Sequence, residues 1–337
     1  MEYGAIDLHK VKSEIRVVRE DGTAILETRI ATSREDFARV FGRPPMRILV
    51  ESSTESEWVA QTLETASHEV IVADPNYAPM YGDLQRRVKT DRRDVAALAE
   101  ANRRGWYRAA HRTSAAQRGT RQVLRARRQI VQMRTGAVTL IRSLVKQEGY
   151  RLPRCGAERV PAQLETLRLP AALHALLAPL TKMIETATSE ITTLDAQLHA
   201  RAAADPLVQR LQTVPGVGLI VALTFRAQID DVRRFRHAGQ VSAAIGLVPR
   251  EDSSAERRHR GHITKVGPRE LRSLLVQAAW ACWRSKHSAT LRAWVEQVAA
   301  RRGRRIAVVA LARRLSRLLY ALWRDGTSFD VKKLAAA

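Results

Sequence analysis

The chain has few cysteines, few acidic residues relative to basic ones, and no long apolar run. Its two cysteines, Cys155 and Cys282, are too far apart in sequence to indicate a disulfide framework or a zinc site. No apolar segment approaches the roughly 20 residues that a membrane-spanning helix needs. The N-terminus has no basic leader followed by an apolar stretch. We therefore expect a cytoplasmic protein that does not enter a membrane.

The shortage of acidic residues leaves a large positive charge. Lysine and arginine number 57 against 34 aspartates and glutamates, which gives a net charge of +23 and a pI near 11.2. Such an excess repels itself unless a polyanion is present, so nucleic acid is the first partner to consider and an anionic membrane the second. Hydrophobic residues make up 45% of the chain, which predicts a folded protein rather than a disordered basic one.

The length of 337 residues predicts two or three compact parts. Up to about residue 75, apolar or β-branched runs alternate with turns, and the segment 56–66 has helical spacing. The turn signal Asp21-Gly22 lies between the second and third runs, so the first three strands are predicted to form a meander. A strand–helix–strand unit follows. The pattern predicts an α/β domain over residues 1–112.

From Asp91 onward the pattern becomes helical. The segment 114–147 places arginines around an apolar stripe, which predicts a basic amphipathic helix whose charged face meets either solvent or phosphates. We assign Arg121, Arg125 and Arg128 to nucleic-acid contact. Apolar residues at heptad spacing from 173 to 198 then predict a helical hairpin or coiled coil, with Pro179 at the start of its helix. These segments form a predicted connector over residues 113–205.

A third, mainly helical part is predicted over residues 206–337. It contains the sequence VPGVG, in which Gly216 and Gly218 flank a short turn. Glycines at a helix N-terminus let backbone amides approach a phosphate, as in helix-hairpin-helix modules. An ordinary turn between two helices is the alternative.

Four acidic residues in the N-terminal part point to metal chemistry. Asp7 follows an apolar run, Glu51 ends the run ILVE, and Asp91 and Asp94 lie three apart on a predicted helix. Carboxylates at the ends of neighbouring strands converge, and Mg²⁺ prefers carboxylate and water oxygens. Each acid alone is equally typical of a surface ion pair or a helix terminus. Together they predict a site for two Mg²⁺ ions, replaceable by Mn²⁺, that polarises a scissile phosphate.

Near the C-terminus, Ser253 and Ser254 are predicted to lie in a polar loop before a cationic stretch. The members of this stretch that we assign to nucleic-acid contact are Arg257, Arg258, Arg260 and Lys265. A serine beside phosphate-binding cations can attack phosphorus once its proton is removed. On spacing alone, a loop serine without a chemical role remains the alternative.

Two sets of motifs resemble a known family. The order strand-Asp, strand-Glu and helical Asp-x-x-Asp, here AIDLHK, LVES and KTDRRD, resembles the catalytic set of RuvC-like nucleases of the ribonuclease-H fold. Residues 246–272 resemble the C-terminal signature of DEDD-type insertion-sequence transposases, the bridge-RNA-guided recombinases. The resemblance covers nearly the whole chain. It implies an α/β RNase H-like (RuvC-like) N-terminal domain, a helical coiled-coil connector and a mainly α C-terminal transposase domain.

The same resemblance implies roles for individual residues. Asp7, Glu51, Asp91 and Asp94 would hold the metals, and Ser254 would form a covalent serine–DNA intermediate during site-specific recombination. It also implies donor and target DNA as partners, a structured guide RNA, a homo-oligomer (dimer or tetramer) and a place on the bacterial nucleoid. Two other hypotheses remain open. One is a Holliday-junction-type, structure-selective nuclease that uses metal-activated water, and the other is a catalytically silent nucleic-acid-binding protein.

Overall fold

A computed structural model describes residues 1–77, 80, 91–254 and 257–330, with the backbone alone at 252–254 and 257–260. The chain divides into two compact units, Met1–Arg112 and Thr113–Ala337. The further division of the second unit at residue 205 stays a prediction. Within the described residues, every helix is too short or too polar to cross a membrane.

The first unit is built on a five-stranded mixed sheet. Its strands are β1 (Tyr3–Asp7), β2 (Lys12–Val18), β3 (Ala24–Ala31), β4 (Arg47–Glu51) and β5 (Glu69–Ala73). Their order in the sheet is β3-β2-β1-β4-β5. The first three strands form the predicted antiparallel meander, while β4 runs parallel to both β1 and β5. The turn at Asp21-Gly22 has the positive φ of +90° at Gly22 that this tight reversal needs.

Helices cover both faces of this sheet. Helices α1 (Arg34–Val40) and α2 (Ser56–Thr65) pack on one face, and α3 (Asp91–Arg104) packs on the other. The sequence pattern missed α1, which has only seven residues and begins where the Ser33 hydroxyl accepts a hydrogen bond from the Asp36 amide. This mixed sheet between helices is consistent with the expected RNase H-like N-terminal domain.

The second unit opens with a long antiparallel helical hairpin. Helices α4 (Ala115–Gln147) and α6 (Ala171–Ala203) pack along their lengths, and the short α5 (Val160–Glu165) joins the core at the far end. Arg127 pairs with Asp195, and Arg201 Nη1 donates to Thr120 Oγ1 at 3.1 Å. The predicted helical hairpin is therefore confirmed within one chain.

Pro179 does not begin its helix, contrary to our prediction. It lies in the interior of α6, which starts eight residues earlier, and its ring is exposed. Leu173 and Leu177 precede Pro179 on the buried face and pack into the same core as Ile184. Because this apolar packing continues across the proline, the missing backbone hydrogen bond is tolerated.

The rest of the second unit is a helical bundle that carries one β-hairpin. Its helices are α7 (Pro206–Leu211), α8 (Leu219–Ile229), α9 (Ala238–Ala244), α10 (Arg269–Arg284), α11 (Ala289–Arg302) and α12 (Arg304–Asp325). The hairpin strands are β6 (Pro249–Ser254) and β7 (Arg257–Ile263). The predicted polar loop around Ser253 and Ser254 was therefore wrong. These charged segments lack an alternating apolar pattern, and backbone pairing between them defines the strands.

Candidate active site

Asp7 and Glu51 face the same side of the sheet because side chains alternate along a strand. On β1, Ala5 packs toward α3 and Ile6 toward α1 and α2, so Asp7 returns to the α3 face. On β4, Leu49 packs toward α3, so Glu51 also returns to that face. Since Ile6 pairs with Val50 in parallel register, the two carboxylates stand at the same edge of the sheet on neighbouring strands.

Helix α3 brings the other two acids to this edge. Asp91 and Asp94 lie in its first turn, above the residues Val95 and Leu98 that pack on the sheet. The positive end of the helix dipole favours acids in that turn. The spacing of three residues thus places both acids on one helix face, directed toward the carboxyl ends of β1 and β4.

The register of α3 on the sheet is held by Asn102, a residue the sequence pattern did not single out. Asn102 is fully buried, and its Nδ2 donates to the carbonyl oxygens of Gly4 at 2.7 Å and Arg47 at 2.9 Å. Arg47 Nε donates back to Asn102 Oδ1 at 3.0 Å. A polar side chain on the apolar face of a predicted helix is the signal that would have identified it.

The four carboxylates act on one another electrostatically. Asp7 is only 9% exposed. Burial raises its pKa above the ordinary value of 3.8, His9 lowers it, and the charges of Asp94, Glu51 and Asp91 raise it further. The structure therefore brings together all four predicted acids, whereas their roles as metal ligands stay a prediction.

His9 joins this cluster and was missed at the sequence level. Its Nε2 lies 3.3 Å from Asp7 Oδ2 and 3.6 Å from Asp91 Oδ1. The backbone that carries it is fixed by Thr32, whose Oγ1 donates to the His9 carbonyl oxygen at 2.7 Å. A histidine two residues after a strand-terminal aspartate was the available signal.

The donor atoms at this edge suit a divalent cation. One ligand atom each from Asp7, His9 and Asp91 lie within 4.8 Å of one another. Carboxylate oxygens suit hard cations such as Mg²⁺ and Mn²⁺, and a cation would offset the mutual repulsion that raises the pKa of Asp7. Arg29 Nη2 lies 3.6 Å from Asp91 Oδ2 and supplies part of that compensation within the protein.

The predicted nucleophile lies in the second unit, at the end of β6. Ser254 pairs with Arg257, and Ser253 with Arg258, in the register of the hairpin. The side chains of Ser254, Arg257, Arg258 and Arg260 lie outside the described residues, so their assigned roles stay predictions. Lys265 is described and exposed, beyond the end of β7.

The base of this hairpin is locked by close backbone packing. Gly246 and Gly267 both have positive φ, and a Cβ on Gly267 would stand 1.9 Å from the Ala244 carbonyl oxygen. Arg272 Nη1 donates to the carbonyl oxygens of Ile245 at 2.8 Å and Val266 at 3.0 Å. The two ends of the C-terminal sequence signature therefore fix where the hairpin leaves the helical bundle.

The three arginines assigned to nucleic-acid contact on α4 differ in their surroundings. Arg121 Nε donates to the Ala227 carbonyl oxygen at 2.9 Å. Its guanidinium therefore provides a hydrogen-bond donor for a carbonyl group in the last turn of α8. Arg128 Nη1 lies 3.4 Å from Glu270 Oε2 of α10. Arg125 is exposed. The geometry gives Arg121 and Arg128 structural partners that the amphipathic pattern did not foresee.

The VPGVG turn joins α7 to α8, as expected for a helix-hairpin-helix arrangement. A Cβ on Gly216 would stand 2.3 Å from the Ala278 carbonyl oxygen, so close packing on α10 accounts for this glycine. Gly218 is exposed, precedes the first residue of α8 and has open space around it. Their contact with nucleic acid stays a prediction.

Comparisons with known proteins match segments of both units to transposases. A model of DEDD transposases of the IS110 type matches residues 5–149, and a model described as "Transposase IS116/IS110/IS902 family" matches residues 208–295. A Pseudomonas aeruginosa protein named "Probable family 20 transposase" is 32% identical, over 87% of this chain and 88% of its own length. The transposase for insertion sequence element IS1111A of Coxiella burnetii is 33% identical, over 69% and 66%. That of IS1328 from Yersinia enterocolitica is 26% identical, over 96% and 97%.

The class defined by these matches is the DEDD transposases, which are enzymes whose family implies DNA as substrate and a divalent metal. The carboxylate cluster of the first unit agrees with that class. More narrowly, the chain belongs to the IS116/IS110/IS902 family of transposases.

Proposed function

We propose that this transposase cleaves and rejoins DNA through a covalent serine intermediate, with Asp7, Glu51, Asp91 and Asp94 holding two Mg²⁺ ions. The observation that carries the metal part is the convergence of four carboxylates at one sheet edge, where burial and the other three carboxylates raise the pKa of Asp7. Divalent cations bound there would supply stabilisation of charge on a phosphate. His9, 3.3 Å from Asp7, would orient that carboxylate or complete the ligand set.

The serine part is supported by the position of Ser254 at the end of a β-strand that opposes a strand rich in arginine. The Ser254 oxygen would form a new bond to phosphorus as the bond to one strand's oxygen breaks. The serine proton ends on the departing hydroxyl. A hydroxyl of the incoming strand then reverses the exchange, so one phosphodiester is lost and one is made without an external energy source. Hydrolysis by water would lose that stored energy.

The family resemblance of residues 246–272 supports a further component, a structured guide RNA that pairs with donor and target DNA. The excess of positive charge accommodates both polyanions. RNA that copurifies with the protein, and a loss of site-specific exchange after ribonuclease treatment, would support this component. Unchanged site-specific exchange after ribonuclease treatment would contradict the proposed guide RNA.

The serine intermediate is tested by denaturing gels of labelled DNA, followed by mass mapping of any adduct. We expect Ser254→Ala to keep DNA binding and to lose both adduct and recombination, while Ser253→Ala keeps both. The control is matched because it removes the same hydroxyl group one residue earlier in the chain. An adduct at Ser253 would move the nucleophile by one residue. Cleavage by active protein without any adduct would favour the nuclease that uses metal-activated water.

A further inference from the structure

A groove in the second unit lies beside the hairpin that carries Ser254. It has a volume of about 1180 Å³ and is walled by the end of β7, at His262 and Ile263, and by α12. Its lysine and arginine lining residues are Lys265, Arg302, Arg305, Arg313, Arg314, Arg317 and Arg324. A cavity of this size exceeds the usual range for small-molecule pockets and suits a segment of a polymer.

Ion pairing compensates part of the charge of this groove, since Arg324 Nε lies 2.6 Å from Asp325 Oδ1. Among the described lining residues there is no aspartate or glutamate, and Arg302, Arg305 and Arg317 form no ion pair with any described residue. Arg314 lies over the ring of Trp294, with its Cζ 4.7 Å from the ring centroid. Burial and the neighbouring Arg317 lower the pKa of Arg314. Like charges gathered in a concave wall attract an anionic polymer.

Most of the remaining lining is apolar, and this favours one form of nucleic acid over another. Ile306 is 51% exposed in the groove, and Val309 and Leu318 extend the same surface along α12. A duplex presents phosphates and sugars to a concave surface and keeps its base faces stacked inside. An unpaired strand exposes base faces that can cover apolar and aromatic side chains while its phosphates reach the arginines.

We propose that this groove binds an unpaired DNA strand, with phosphates on Arg302, Arg305 and Arg317 and bases against Ile306 and Val309. The choice of DNA rests on the proposed function, since strand exchange must separate a cut strand from its complement. Because β7 walls the groove and pairs with β6, the same hairpin would carry Ser254 and guide the released strand.

The test measures binding of short labelled oligonucleotides to the full-length protein in EDTA, where no cleavage occurs. We expect Arg302→Gln combined with Arg317→Gln to weaken single-stranded DNA binding by roughly tenfold or more and to lower the slope of log affinity against log salt by about 1.4. Duplex binding should change much less. The control, Arg292→Gln with Arg301→Gln on α11, removes the same charge outside the groove and should leave both affinities unchanged.

A second comparison isolates the base contacts. Wild-type protein should bind the normal strand more tightly than an abasic strand of equal charge, and Ile306→Gln should abolish that difference. Equal weakening by the groove and control variants would overturn the proposal, as would a greater loss for duplex or for RNA. Loss of self-association in light scattering would instead make the groove an interface between copies. Because binding is measured without cleavage, failure of the serine mechanism would not alter these outcomes.

Discussion

At the scale of single residues, Asp7 shows a conflict between folding and chemistry. A buried carboxyl whose pKa is raised binds its proton more tightly in the folded state than in the unfolded state. Its ionised form therefore costs folding free energy, and this cost appears as pH rises from about the ordinary 3.8 through the raised value. Such a residue is retained for what it binds rather than for stability.

Replacing Asp7 by Asn should therefore raise the metal-free melting temperature at neutral pH while abolishing metal-dependent strand cleavage. The gain should shrink as pH falls through the raised pKa, because the wild-type carboxyl then becomes neutral too. Magnesium should raise the melting temperature of the wild type and not that of the variant. Calorimetry over a pH series, with and without Mg²⁺, measures each effect.

Asp21 provides a control because its pKa is lowered, whereas that of Asp7 is raised. The amide of Thr23 donates to its carboxylate at 2.8 Å, which lowers the pKa of Asp21. Asp21→Asn should give no thermal gain and should leave cleavage intact. Full cleavage by Asp7→Asn, or equal melting behaviour of the two variants, would contradict the metal site.

At the scale of elements, Asn102 connects the position of α3 to the metal site at its other end. Asn102→Ala would leave the carbonyl oxygens of Gly4 and Arg47 without this donor in the core, which costs about 1–3 kcal/mol. We expect faster amide hydrogen exchange in β1 and β4. We also expect weaker Mg²⁺ binding, because Asp91 and Asp94 lie on the helix that loses this anchor. Asn76→Ala, at an exposed turn, should change neither. Normal Mg²⁺ affinity in Asn102→Ala would show that Mg²⁺ binding does not depend on the hydrogen bonds that Asn102 makes to the sheet.

The long hairpin bears on the predicted homo-oligomer. Met133 and Leu140 are exposed seven residues apart on α4, and Leu176 and Met183 are exposed seven residues apart on α6. Seven residues return to the same helix face, so each pair extends an apolar stripe that the chain itself leaves uncovered. Such stripes are typical of association between helices.

Leu140→Lys with Met183→Lys should shift the protein from dimers or tetramers toward monomers in light scattering. The helical circular dichroism should stay unchanged because both side chains are exposed. Thr139→Lys with Lys182→Glu alters neighbouring exposed positions and should preserve the oligomer. A monomeric wild type would end the prediction of self-association, and an unshifted variant would assign it to another surface.

At the scale of the whole molecule, the net charge of +23 predicts nucleic-acid affinity that falls steeply with salt. Because Arg125 and Arg121 of α4 have different surroundings, we expect their replacement to have different effects. Arg125→Gln should reduce the slope by about 0.9 if it contacts one phosphate of duplex DNA. Arg121→Gln should instead destabilise the packing of α4 on α8, since it removes donors from the Ala227 and Gln228 carbonyl oxygens. Salt titrations and thermal melts of both variants distinguish these outcomes. An unchanged slope in Arg125→Gln would assign its face to solvent or to a subunit contact.

Sequence alone determined the five strands of the first unit, the long helices and the acids of the candidate site, because apolar runs and heptad patterns report directly which faces are buried. It fixed Asp7 and Glu51 at strand ends and Asp91 and Asp94 on one helix face. Only the tertiary structure decided which separate elements meet. The approach of His9 to Asp91, the anchoring by Asn102 and the capping of α8 by Arg121 are all contacts between residues distant in the chain. The β6–β7 hairpin and the continuous helix through Pro179 also depend on packing that overrides local propensity.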